Sequence, residues 1–166
     1  VGVVLWGFET MGTRGETVGQ ILHYLGVRLV RKHGPWSTDL EVIPLEELGR
    51  PRVDVVVTIC GIFRDTLPHL ITLIDRAVKL VANLNEPPEM NYVRKHVLEM
   101  EDTYGENSTI RIFGPKDGAY NTRLTDMIES SAWRSEEELA DTYIEDMMYG
   151  YGENIHAKEF NELFRN

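Results

Sequence analysis

Cysteine is almost absent from the sequence, since Cys60 is the only one among 166 residues. A single thiol excludes a disulfide within the chain and a metal site built on paired cysteines. Runs of eighteen or more apolar residues are also absent, so no membrane-spanning helix is expected. The composition, with 42% hydrophobic and 27% charged residues, is typical of a globular domain. These features predict a protein with a cytoplasmic localisation.

Positive charge is scarce, and the net charge is −10. The imbalance is concentrated between Asp126 and Asn166, where eleven acidic residues stand against three basic ones. A chain this acidic is repelled by phosphate backbones and by anionic membrane surfaces. The sequence therefore predicts that the protein does not bind nucleic acid.

Short apolar runs alternate with segments of helical periodicity. Val1–Trp6, Asp54–Ile59 and Thr109–Phe113 predict strands, of which the first two should be adjacent or near-adjacent, parallel and buried on both faces. Helices are predicted at Glu16–Leu25, Leu67–Asn83, Met90–Glu101, Leu124–Trp133 and Glu136–Met148. This order is typical of an α/β fold with a mostly parallel sheet, helices on both faces and a flavodoxin- or Rossmann-like arrangement.

Glycine, proline and capping residues mark the boundaries of these elements. Gly7–Gly15 is predicted to be a loop, and Gly34 with Pro35 breaks the chain after an extended segment. Asp65 or Thr66 is predicted to cap the helix that follows the second strand.

The domain organisation follows from these elements. Residues 1–152 are predicted to form the α/β domain, and residues 153–166 the truncated start of a following segment. Because the chain begins inside a predicted strand and stops inside an amphipathic stretch, we expect both ends to continue into a larger protein.

Three loops leave the carboxyl ends of the predicted strands: Gly7–Gly15, Cys60–Asp65 and Gly114–Asn121. Ligands bind at this edge of an open parallel sheet. The glycines of the first loop match neither the dinucleotide pattern nor the phosphate-loop pattern, and Glu9 and Glu16 would repel a pyrophosphate. The loops therefore predict a polar crevice, and the first loop counts against a dinucleotide site.

Arg64 and Asp65 place a cation beside an anion at the end of the second strand. Arg64 can hold a carboxylate in a bidentate fork, and Asp65 can serve as a metal ligand or as a base. Alternatively, Asp65 caps a helix and Arg64 forms an ion pair nearby. Composition alone favours the structural role.

The five histidines form no HExxH or HxxxH metal-binding pattern. His96 with Glu99, and His156 with Glu159, are spaced to share one face of a helix. Such pairs are more typical of an exposed surface than of metal ligation.

Five segments carry longer motifs: Val3–Gly7 (VVLWG), Leu45–Asp65 (LEELGRPRVDVVVTICGIFRD), Glu86–Glu99 (EPPEMNYVRKHVLE), Arg111–Leu124 (RIFGPKDGAYNTRL) and Ser130–Ile144 (SSAWRSEEELADTYI). In these segments and in their order, the chain resembles the large subunit of cobaltochelatase and magnesium chelatase. The combination of LGRPR, GIFRD and FGPKDGAY is specific, and the likeness extends to about residue 152.

The resemblance implies a subunit that binds a tetrapyrrole and inserts Co²⁺ or Mg²⁺, the substrate metal, in cobalamin or chlorophyll-type cofactor biosynthesis. It also implies that ATP is hydrolysed by partner subunits, an AAA+ ATPase and a metal-binding-domain subunit, and not by this chain. The family's subunit is several times longer, so we expect the 166-residue chain alone to be inactive.

The resemblance nominates seven residues, without deciding which of them contacts the metal. Cationic side chains suit the acidic groups of a macrocycle, and carboxylates or imidazoles can accept pyrrole protons or contact a divalent ion. The residues nominated for substrate binding are Arg64, Lys116, Tyr120, Arg123 and Glu9. Those nominated for catalysis are Asp65 and His69.

Two other functions are compatible with the residues. The first is a non-catalytic docking module for the ATPase subunits, with the charged helix Glu136–Asp146 as its functional surface. The second is a nucleotide- or cofactor-binding domain, and the lack of a phosphate-binding motif in the sequence counts against it.

Overall fold

A five-stranded sheet organises the chain in the computed structural model, which describes residues 1–31, 38–120 and 122–165. The break predicted at Gly34 and Pro35 lies outside these residues. In spatial order the strands are β1 (Gly2–Leu5), β4 (Val56–Ile59), β5 (Ile112–Gly114), β6 (Tyr149–Gly152) and β7 (Ile155–Glu159). A separate antiparallel pair is formed by β2 (Val27–Arg31) and β3 (Thr38–Val42).

Strand direction gives the sheet its class. β1, β4 and β5 pair in parallel, whereas β6 and β7 each pair antiparallel to the preceding strand. β7 consequently runs in the same direction as β5, so four of the five strands point one way. The predicted mostly parallel α/β sheet is confirmed. β7 lies beyond residue 152 and extends the same sheet.

Helices fill the connections and cover the sheet. They are α1 (Gly7–Gly12), α2 (Glu16–Leu25), α3 (Leu45–Leu48), α4 (Gly61–Thr66), α5 (Pro68–Ala82), α6 (Tyr92–Tyr104), α7 (Arg123–Glu129), α8 (Glu136–Met147) and α9 (Asn161–Arg165). A short 3-10 helix spans Gly105–Thr109. Within the described residues, no helix combines the length and the apolar character needed to cross a membrane.

Several predicted boundaries are corrected. Gly7–Gly15 is not a loop, because α1 begins directly after β1. Asp65 is not the cap of α5, since it lies inside α4, and Leu67 is the residue before α5. Pro68 occupies the first turn of α5, where its missing N–H costs no hydrogen bond. Ser135 caps α8, because its side chain accepts the backbone N–H of residue 138.

One face of the sheet carries the main core. Alternate side chains of β1 and β4, such as Leu5, Val57 and Ile59, are fully buried on this face. α2 and α5 cover them with their apolar faces, for example with Ile21 and Ile74. This layer explains why α2 and α5 have a clear amphipathic period in the sequence.

The opposite face is covered only in part. Over β5 it carries a second cluster in which Phe113 packs against Phe164 of α9, with ring centroids 4.9 Å apart. Over β1 and β4 it is open, and Val4 and Val56 are 53% and 41% exposed. The predicted adjacency of β1 and β4 is confirmed. Their predicted burial on both faces is wrong, because Val4 and Val56 are exposed on the second face, and β1 is also an edge strand.

Arg52 is a fully buried charged side chain just before β4. Its guanidinium donates to both carboxylate oxygens of Glu86 at 2.8 Å and to the carbonyls of Leu25, Gly26 and Ile43. The interaction joins the end of α2, the end of β3 and the segment that precedes α6. A buried charge is tolerated here because its N–H groups have acceptors.

A second buried ion pair lies between the amino ends of β4 and β5. Arg111 donates to Asp54 at 2.9 Å, and His96 lies 2.7 Å from the same carboxylate through Nδ1. His96 therefore pairs with Asp54, while Glu99 lies near Lys95, at 3.9 Å. The surface pair predicted for His96 and Glu99 is wrong.

We expect the Arg52→Met variant to lose about 3–5 kcal/mol of unfolding free energy, because Glu86 would be left partly buried without its partner. The matched control is Arg28→Met, since Arg28 forms ion pairs with Glu41 and Glu47 that are nearly half exposed. The control should lose less than about 1 kcal/mol. Urea unfolding of both variants measures the difference, and equal losses would contradict the role given to Arg52.

Candidate functional site

The carboxyl ends of β1, β4 and β5 meet at one edge of the sheet, as the sequence predicts. Here the start of α4 lies against loop 115–120, which follows β5. Gly61 allows this approach, because a Cβ at that position would lie 2.5 Å from the carbonyl oxygen of Ala119. The second and third predicted loops therefore converge, with residue 121 outside the described part of the chain.

Arg64 fastens loop 115–120 to α4. Its Nη1 donates to the carbonyls of Lys116 at 2.7 Å and of Pro115 and Ala119 at 3.3 Å. Its Nε and Nη2 donate to the two oxygens of Asp65 at 2.6 and 3.0 Å. The Arg64 side chain is only 2% exposed. This geometry matches the ion pair that composition favoured, although Asp65 does not cap α5.

Asp65 is more accessible than its partner, with 39% of its side chain exposed. It also accepts a hydrogen bond from the hydroxyl of Tyr120. The hydrogen bonds from Arg64 and then Tyr120 lower the pKa of Asp65 below its usual value. The same Asp65 hydrogen bond raises the pKa of Tyr120, so at neutral pH the pair holds a carboxylate and a protonated phenol.

Arg64, Asp65, Tyr120 and Asp117 form a group that we call the polar cluster, and His156 of β7 joins it. The sequence did not predict β7 or this contact. Its Nε2 lies 2.7 Å from Asp117 in loop 115–120, and its ring edge packs against buried Tyr151. The spacing to Glu159 misled the prediction, because three residues along a strand do not share a face as they do on a helix. No local signal links His156 to a loop 39 residues earlier.

Lys116 and Arg123 share a different cavity beside the same loop, with a volume of about 470 Å³. Arg123 is held there by Glu145 and Asp146 of α8, at 2.9 and 2.8 Å. Lys116 is exposed, and its amino group has no ion-pair partner among the described residues. Of these two cations, Lys116 is the freer to meet an anionic ligand.

Glu9 and His69 do not join the cluster. The carboxylate of Glu9 accepts hydrogen bonds from Thr13 and Thr17, which ties α1 to α2. His69 is exposed on the first turn of α5, and its side chain makes no hydrogen bond with the described residues. Within the same described ranges, no group of three or more histidine, cysteine or carboxylate side chains has the geometry to hold a metal ion.

An apolar cavity of about 320 Å³ adjoins the polar cluster, and we call it the aromatic cavity. It lies where the open face of β1 and β4 meets α7 and α8, and Tyr120 belongs to both sites. Sequence reasoning missed it because its walls come from four separate segments. Its other aromatic and sulfur-containing lining residues are Trp6, Cys60, Tyr143 and Met147.

The pKa of Asp65 gives a testable pH dependence. A lowered folded-state pKa stabilises the protein above the usual aspartate pKa of about 3.9, and this stabilisation is lost as pH falls through the folded value. We therefore expect Asp65→Asn to melt below the native protein at pH 7, with the gap closing below about pH 4. Asp102→Asn on α6 is the control, because Asp102 is an exposed carboxylate outside this cluster. A gap that does not narrow as the pH falls below about 4 would contradict the ionised pair.

Comparison with known proteins covers the whole chain. The family model described as CobN/Magnesium Chelatase matches residues 1–166, so the likeness continues past the limit predicted at residue 152. An uncharacterized protein of Methanocaldococcus jannaschii is 46% identical over 176 aligned residues, which cover 100% of this chain and 14% of that protein. The magnesium-chelatase subunit ChlH of Oryza sativa subsp. indica is 42% identical and covers 87% of this chain and 11% of that protein.

A solved structure agrees with these relatives. The catalytic subunit of cobaltochelatase from Mycobacterium tuberculosis superposes with a TM-score of 0.92 and 40% identity, over 97% of this chain and 14% of that subunit. The chain thus spans about one seventh or less of the length of the relatives it matches. Both the family model and these relatives lead to one conclusion: the chain belongs to the CobN/magnesium chelatase family.

Proposed function

We propose that this chain forms part of the large subunit of an ATP-dependent metal chelatase, which binds a tetrapyrrole and inserts Co²⁺ or Mg²⁺. The observation that carries the proposal is the convergence of Arg64, Asp65 and Tyr120 with loop 115–120 at the carboxyl ends of the strands. The names of the relatives support both metals, cobalt and magnesium, and hence cobalamin or chlorophyll-type biosynthesis.

In this proposal the exposed cations bind the acidic side chains of the macrocycle. Lys116 is the principal contact, because its amino group is free within the described structure, and Arg123 supports it from the same cavity. Arg64 acts as a positioning residue, since its N–H groups already bind the loop and Asp65. A charge-assisted hydrogen bond of this kind contributes about 1.5–3 kcal/mol.

Asp65 is proposed to act on the incoming metal more than on protons. A carboxylate with a lowered pKa is a weak base, but it stays ionised and attracts a divalent cation. His69 remains a proposed proton acceptor on the neighbouring helix, and His156 is a second imidazole already paired with Asp117. Glu9 remains a more distant proposed substrate contact.

Energy from ATP is proposed to come from partner subunits, an AAA+ ATPase and a metal-binding-domain subunit. This sequence contains no phosphate-loop motif. We expect the isolated chain to show no ATP hydrolysis in a phosphate-release assay.

A docking function for the ATPase partner is the second candidate. It is favoured by the first turn of α8, where Glu136, Glu137 and Glu138 are consecutive and exposed. Acidic groups at a helix amino terminus stabilise the helix itself, so this surface also has a purely local explanation.

Titration with metal-free deuteroporphyrin IX, followed by the shift of its Soret band, tests the proposal. We expect Lys116→Glu to weaken binding by about tenfold or more without changing the melting temperature. Arg64→Leu should instead destabilise the fold by about 2 kcal/mol, because Asp65 and loop carbonyls lose their donor.

Lys95→Glu on α6 serves as the charge-matched control, and its porphyrin affinity should be unchanged. If the native chain gives no Soret shift, the tetrapyrrole-binding role of this region is wrong, and the docking function becomes the better account. If Arg64→Leu keeps its stability and loses affinity, Arg64 contacts the ligand directly.

A further inference from the structure

The aromatic cavity has the form of a slot at the edge of the open sheet face. Its lining includes Val4 and Thr58 of the sheet, Trp6 after β1, Tyr120 of loop 115–120, and Tyr143 and Met147 of α8. The register pairs Val4 with Thr58, so both of these side chains point to the same face of the sheet.

Large apolar side chains are unusually exposed around this slot. Trp6 is 59% exposed, Tyr120 53% and Val4 53%, and Phe8 on the first turn of α1 is 72% exposed. Single exposed apolar residues are normal, but a contiguous group marks a binding surface. Aromatic rings with exposed faces favour a flat partner that can stack on them.

Tyr120 connects the slot with the polar cluster. Its ring lines the slot, its hydroxyl donates to Asp65, and the guanidinium carbon of Arg64 lies 5.6 Å from the ring centroid. A ligand seated in the slot would therefore place its apolar plane on aromatic side chains and its inner edge beside a carboxylate. That combination fits a flat, mainly apolar molecule with polar nitrogen atoms.

We propose that the slot holds one edge of the planar tetrapyrrole, with Trp6 and Tyr120 as its stacking residues. This inference rests on the proposed chelatase function and assigns residues to it. The volume of about 320 Å³ is near the lower limit of small-molecule sites, which span roughly 300–1,000 Å³, so the slot takes part of a macrocycle and leaves the rest outside.

A nucleotide base also stacks on aromatic rings, but the surroundings of the slot do not suit its phosphates. α1, the helix that follows Trp6, has only six residues, and the carboxylate of Glu9 lies in its first turn. On the other side Tyr120 is hydrogen-bonded to Asp65, whose lowered pKa keeps it ionised at neutral pH. Both charges repel phosphate.

Trp6→Ala in the 166-residue chain tests the slot directly. We expect it to weaken binding of metal-free deuteroporphyrin IX about tenfold, while Trp6→Phe keeps most of the affinity because it retains an aromatic ring. Trp133→Ala is the matched control, since Trp133 is 42% exposed and does not line the slot. Melting temperatures should be unchanged in all three variants, because both tryptophans are exposed.

Alkylation of Cys60 gives a second readout that does not depend on affinity. Cys60 is the only cysteine and lines the slot, so the rate of mass gain with N-ethylmaleimide reports on this place alone. Saturating deuteroporphyrin IX should slow the reaction at least several-fold in the native chain. The same addition should protect Cys60 much less in Trp6→Ala.

The outcomes separate the two proposals. The slot is not the macrocycle site if three results are found together: the native chain binds the porphyrin, Trp6→Ala binds it equally well, and the porphyrin does not protect Cys60. In that case the proposed function stands. If the native chain does not bind the porphyrin at all, both proposals are wrong for this region.

Discussion

The buried guanidinium of Arg52 is the interaction on which the arrangement of the chain depends. Its donors bind carbonyls at the end of α2 and after β3, and the carboxylate of Glu86 before α6. Gly26 allows this contact, because a Cβ there would lie 2.4 Å from Nη1 of Arg52. Asn91 extends it by bonding both Glu86 and the carbonyl of Val81 on α5. Four segments are thereby fixed around the entrance to β4, whose other end carries the candidate site.

The family motifs supply the residues that form the buried polar contacts. LGRPR supplies Arg52, and EPPEMNY supplies Glu86 and Asn91, so two motifs distant in sequence form one buried polar network. GIFRD and FGPKDGAY meet in the same way, because Arg64 binds the carbonyls of loop 115–120. A buried charge without partners is costly, and such networks tolerate few substitutions. The motifs that identify the family therefore describe its scaffold as much as its chemistry.

The two faces of the sheet differ because the helices are distributed unevenly. α2 and α5 bury the main core on one face, while Leu163 and Phe164 of α9 pack against Phe113 of β5 on the other. The open part exposes Val4 and Val56 and leads to the aromatic cavity at the carboxyl ends of the strands. A contiguous exposed apolar surface of this kind is typical of a binding surface.

The sequence by itself determined the α/β class, the parallel pairing of β1 with β4, and the meeting of Arg64 and Asp65 with loop 115–120. Each of these follows from local periodicity and from the rule that parallel strands end at one edge. Tertiary structure alone decided that Arg64 is buried and already bound, that His156 joins from β7, and that Trp6, Cys60 and Tyr143 form one cavity. Those contacts join residues far apart in the chain, and residue type and local spacing carry no information about which distant segments pack together.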